Sequence, residues 1–63
     1  MTMYKWICWY IDEENETHEV QSKHAFALVL QAELDYAKWL EHGRELPKGA
    51  IIDEVGVFPV NMC

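Results

Sequence analysis

Positive charge is scarce in this chain. Only five of its 63 residues are Lys or Arg, against eleven Asp or Glu, so the formal net charge is −6. A nucleic-acid backbone and an anionic membrane surface would both repel such a chain, which argues against direct binding to either. Cysteine is equally sparse. Cys8 lies inside a strand-like run and Cys63 is the last residue. Two distant cysteines do not make a disulfide framework, and two reduced thiols in a cytoplasmic protein are the simpler expectation. Long apolar runs are missing too, so no segment reads as a membrane-spanning helix. The first residues, Met1-Thr2-Met3-Tyr4-Lys5, lack the pattern of a signal peptide. There is no internal repeat and no low-complexity segment.

The motifs of catalysis and metal binding are also absent. No GxSxG, phosphate loop or Cys–His–Asn pattern occurs, and Cys8, the one internal thiol, reads as a buried hydrophobe. His18, His24, His42, Cys8 and Cys63 form no CxxC or HxxxH pair, so no structural zinc pattern is present. The expectation is a non-enzyme with no cofactor and no metal.

Hydrophobic residues, by contrast, make up 51% of the chain, with three Trp, three Tyr and two Phe. That content excludes a disordered acidic chain. The length suits a single domain spanning residues 1–63. Area scaling gives roughly 10,700 Å² for the unfolded chain and about 4,200 Å² once folded, a burial of about 61%. So small a core cannot hide every ring, and exposed aromatics point to an interface.

Residues 4–11, Tyr-Lys-Trp-Ile-Cys-Trp-Tyr-Ile, read as a strand that is apolar on both faces. Asp12-Glu13-Glu14-Asn15-Glu16 reads as a hairpin loop, with Asn15 suited to a left-handed conformation. Thr17–Gln21 is a short second strand. Ser22 is a candidate N-cap for a helix from His24 to His42, closed by Gly43 and stopped by Pro47. Helical periodicity places Ala25, Leu28, Val29, Ala32, Tyr36, Trp39 and Leu40 on a core face. Phe26, Leu30, Leu34 and Ala37 form a second apolar stripe, and Gln31, Asp35, Lys38 and His42 a narrow polar one. Ala50–Val57 is the third strand, with Pro59 ending clean pairing or marking an edge.

Connection rules turn these elements into an α+β fold of type ββαβ. It is a three-stranded antiparallel sheet of order 2-1-3, with one helix packed on one face. Ile7, Trp9, Ile11, Val55 and Val57 are expected beneath the helix. Tyr4, Trp6, Cys8, Tyr10 and Phe58 are expected on the open face.

Two constellations then carry a functional reading. Five of the eight residues from Asp12 to Glu19 are carboxylates: Asp12, Glu13, Glu14, Glu16 and Glu19. Such a strip can mimic phosphates, occupy a basic protein surface and accelerate encounter with it, or simply solvate a hairpin loop. Tyr4, Trp6 and Tyr10 are candidate packing anchors for a protein partner, since Trp and Tyr dominate interface energetics. The alternative is a homodimeric structural domain whose seam is Phe26, Leu30 and Leu34.

The element order, with Ala37-Lys38-Trp39, then Pro47-Lys48-Gly49, then a strand ending in Pro59, resembles the small inhibitors that lytic bacteriophages make against host enzymes. The RNA-polymerase inhibitor of T-odd coliphages is of this type. The resemblance implies a small cytoplasmic protein that binds and blocks a host nucleic-acid-handling enzyme or defence complex. It assigns a role to no individual residue.

Overall fold

In a computed structural model, the structure describes residues 1–42 and 46–61. The chain runs β1 (Thr2–Ile11), β2 (Thr17–Gln21), α1 (Val29–His42) and β3 (Ile51–Asn61). The three strands form one antiparallel sheet in the order β2-β1-β3. The most hydrophobic strand is therefore central, as its two apolar faces require. Gly43, expected to close the helix, and Cys63 lie outside the described residues.

The hairpin between β1 and β2 closes on three residues. Asn15 N–H donates to Asp12 C=O (3.0 Å), and Asp12 N–H to Glu16 C=O (3.0 Å). Asn15 takes the left-handed conformation expected of it, with φ 65°. A tight turn followed by one left-handed residue is a common three-residue hairpin, and it preserves the right-handed twist of the strands.

The helix starts later than periodicity suggests. Residues 22–28 instead form an irregular segment that touches the sheet at Ser22 and Phe26. Ser22 is buried and caps no helix: its N–H donates to Trp6 C=O (3.0 Å), and its hydroxyl donates to His24 C=O (2.8 Å). Phe26 then re-pairs with β1, exchanging two 2.7 Å backbone bonds with Tyr4. Leu28 occupies the N-cap position of α1. Gln31, three residues on, accepts its N–H through Oε1 at 3.2 Å, which is half of a capping box. Backbone pairing to the central strand has outcompeted the helix propensity of 24–28, because propensity alone is a weak preference.

β3 is longer than expected and runs through Pro59. Tyr4 spends both its backbone groups on Phe26, so its partner on the other side, Pro59, forms a non-hydrogen-bonded pair. The proline nitrogen thus faces the outer edge, where no ladder bond is lost. Asp53 is the extra residue where the register shifts between Trp9↔Glu54 and Tyr10↔Ile52.

The turn entering β3 leans on the hairpin. Ala50 N–H donates to Pro47 C=O (3.1 Å), and Gly49 sits at φ 86°. A Cβ built there would fall 2.6 Å from Glu13 Cγ. Gly49→Ala is expected to lower stability by about 1 kcal/mol or more, from backbone strain as well as from displacement of Glu13. Chemical denaturation measures it, and an unchanged midpoint would refute the account.

The face assignment of β1 is the main correction. The helix packs on the even-numbered residues. Trp6 is buried, 4.9 Å from Trp39 and 5.2 Å from Tyr36 between ring centroids. Its Nε1–H donates to Asp35 Oδ2 at 2.8 Å. Cys8 is wholly buried, as is Ala32 on the helix. Register rows place His18, Tyr10 and Ile52, then Val20, Cys8 and Val55, then Trp6 and Val57 on this side. Val55 and Val57 therefore sit where expected, whereas Ile7, Trp9 and Ile11 do not. The physical reason is the indole N–H: a buried Trp needs an acceptor, and the helix offers Asp35. Asp35, placed on the polar stripe by periodicity, is that acceptor. Leu28 and Val29, placed in the core, are 59% and 41% exposed.

Candidate functional site

A single helix of 14 residues covers only the middle of the sheet's helix side. No described element lies on the other side. The accessible surface is 4739 Å², against about 4,200 Å² for a compact chain of this mass.

The open face is built in rows across the three strands. Ile11 lies beside Thr17 and Ile51. Next, Trp9 lies between Glu19 on β2 and Glu54 on β3. Ile7 follows, between Gln21 and Gly56, and then Lys5 beside Phe58 and Met3 beside Val60. Phe58 packs edge-on to Trp9, with ring centroids 5.8 Å apart and planes at 83°. Its ring lies over Gly56, where a Cβ would meet it at 2.9 Å. The glycine thus makes room for the aromatic pair. Ile51 is 69% exposed and Phe58 40%. The face is held in place by its own hydrogen bonds: Lys5 Nζ donates to Gln21 Oε1 (3.4 Å), and Gln21 Nε2 donates to Glu19 Oε2 (2.8 Å).

The sheet edges are poorer docking sites. β2 has only five residues and includes Glu19, while β3 carries the Asp53 irregularity and Pro59. Short, charged or proline-bearing edges discourage strand addition.

The anchors expected from sequence do not lie there. Trp6 is buried under α1. Tyr4 is half-buried beside Phe26, and Tyr10 stacks on His18 at 5.2 Å on the helix side. Phe58 is on the open face, as expected. The residues missed are Trp9 and Glu54. Strand alternation puts Glu54 and Phe58 on one face of β3, but which face of β1 they share depends on the register between the strands.

The five hairpin carboxylates divide in role. Asp12 is the keystone of the turn: Oδ1 accepts the N–H groups of Glu14 (2.8 Å) and Glu16 (2.9 Å), and Oδ2 lies 2.6 Å from His18 Nε2. Glu13 lies against Gly49. Glu14 and Glu16 are exposed, and Glu19 belongs to the open face. Asp12, Glu16 and His18 each bring one ligand atom within 4.8 Å of the others. The turn accounts for that arrangement, since both Asp12 oxygens are already engaged.

The Glu16 N–H, then His18, then the Glu14 N–H hold the Asp12 carboxyl below its ordinary value of 3.8. A depressed folded value means that Asp12 stabilises the hairpin above about pH 4. That contribution is lost as pH falls through the folded value. The amide resonances of Glu14 and Glu16 should therefore titrate together with a midpoint below 3.8. A midpoint at or above that value would refute the keystone role.

Of the expected dimer seam, Leu30 and Leu34 are 63% and 56% exposed on α1. Phe26 is not helical. It lines a hollow of about 250 Å³ together with Gln31, Leu34, Asp35 and Lys38. No helix of the described residues is long and apolar enough to cross a membrane.

Comparison with known proteins found no matching family model, curated protein or solved structure.

Proposed function

We propose that this chain is a non-catalytic protein-binding module whose open sheet face receives an arginine-bearing basic surface. The observation that carries this reading is the row Glu19–Trp9–Glu54. An indole face attracts a guanidinium, and carboxylates on both sides supply acceptors for its N–H groups. Ile7, Ile11, Ile51 and Phe58 surround the row with apolar surface, and the exposed hairpin carboxylates Glu14 and Glu16 steer a cationic partner toward it. A basic surface of this kind commonly holds nucleic acid. Its occupation would inhibit a nucleic-acid-handling protein, in keeping with the resemblance to phage inhibitors.

The test is titration with a short arginine-containing peptide, alongside capture from lysate at low and physiological salt. Glu19→Gln combined with Glu54→Gln should weaken peptide binding about tenfold at low salt and less at physiological salt. Unchanged binding would sink the proposal.

Exposed Leu30 and Leu34 favour a second reading, a homodimer joined through that helix stripe. Sedimentation separates the two: a monomer at micromolar concentration excludes an obligate dimer.

A further inference from the structure

Because α1 lies along the middle of the sheet, a hollow remains on each side of it. The hollow toward β2 has a volume of about 420 Å³ and differs in character from the rest of the molecule. Its apolar walls come from Trp6, Trp39 and Val20. Its rim carries Lys23, from the segment after β2, and Lys38, from the helix. Two of the five Lys and Arg residues of a chain with net charge −6 thus meet at one cavity. The opposing charge there is Asp35, which is held in the wall by the Trp6 Nε1–H at 2.8 Å. His24 completes the polar lining, while the Gln21 side chain points away to the open face, bonded to Lys5 and Glu19.

We infer that this hollow is a binding site for a small aromatic monocarboxylate. Its size falls within the range of small-molecule sites, and its make-up of aromatic walls with a few converging polar groups is theirs too. Two ammonium groups against one carboxylate leave a local charge of one positive unit when His24 is neutral. That balance matches one carboxylate head. A phosphate dianion or a nucleic-acid strand would bring more negative charge than the rim neutralises, inside the repulsive field of an acidic chain. A charge-assisted bond from either lysine fixes the head. The ring lies against Trp39 and Val20, shielded from water. The site is on the helix side of the sheet, so it is independent of the open-face reading.

The probe is 2-naphthoate, followed by the indole N–H resonances of all three tryptophans in ¹⁵N-labelled protein. Saturable shifts of Trp6 and Trp39, with Trp9 unmoved, are expected. Neutral 2-naphthalenemethanol should bind about tenfold more weakly, as should 2-naphthoate to the Lys23→Gln, Lys38→Gln double variant, for loss of the charge-assisted bonds. Both lysines are exposed, so the double variant should keep its fold, and its unchanged amide spectrum verifies this. Absence of shifts, equal affinity for the acid and the alcohol, equal affinity of the double variant, or shifts centred on Trp9 would each overturn the inference.

Discussion

Trp6→Ala should leave the chain largely unfolded at room temperature. The indole is 2% exposed and is the largest side chain in a core whose other fully covered apolar residues are Cys8 and Ala32, among the described residues. Truncating a buried Trp costs about 3–5 kcal/mol. A chain of this length has a total stability of only about 3–9 kcal/mol at ordinary values per residue. The loss is compounded at Asp35, whose carboxylate would keep its partly covered position without the N–H that now satisfies it. Two milder variants separate packing from hydrogen bonding. Trp6→Phe retains much of the ring contact with Tyr36 and Trp39 but removes the donor, and should cost about 1–3 kcal/mol. Asp35→Asn retains an acceptor and should cost less than Trp6→Phe. Denaturant melts followed by far-UV circular dichroism give all three values. A Trp6→Ala protein with a near-native midpoint would mean that this residue does not organise the core.

Trp9→Ala should do the reverse, sparing the fold and removing the interaction. Trp9 is on the same strand, three residues away, but on the uncovered face, where its ring contact is Phe58. Losing that edge-on pair should cost about 1 kcal/mol of stability. If Glu19–Trp9–Glu54 is the seat for an arginine, the same change removes the centre of an interface. Central aromatic anchors are worth about 2 kcal/mol or more, which corresponds to at least about a 30-fold loss of affinity. The comparison is made between the melting curve and the arginine-peptide titration of one variant. Full binding by Trp9→Ala would remove the open face from consideration. Loss of binding together with loss of folding would show that Trp9 is structural.

The opposite placements of Trp6 and Trp9 explain why much of the fold was legible while the face was not. The element order, the 2-1-3 antiparallel sheet, the central position of the first strand and the left-handed Asn15 all followed from local chemistry. The hairpin and Asn15 depend on one short segment, and the place of the third strand on the handedness of the helical crossover. The two faces of β1, however, are nearly equal in hydrophobicity: Tyr4, Trp6, Cys8 and Tyr10 against Ile7, Trp9 and Ile11. Alternation separates such sets without ranking them. The helix start was misplaced for a related reason. The run from His24 to Leu28 has helical composition, but Ser22 and Phe26 found backbone partners on Trp6 and Tyr4. Composition cannot register a hydrogen bond offered by a strand some twenty residues earlier.

The amino-acid sequence by itself determined a small acidic α+β chain with more aromatic surface than one helix can cover. Its acidity argues against nucleic acid as a direct partner. Only the tertiary structure decided which aromatics are covered. Burying Trp6 satisfies its indole N–H on Asp35, and that single pairing turns the odd-numbered residues of β1 outward. The same packing brings Glu19 and Glu54 to either side of Trp9, and Lys23 and Lys38 to the rim of one hollow. These groups are far apart in sequence and converge through strand register and helix placement, which are properties of the folded chain as a whole.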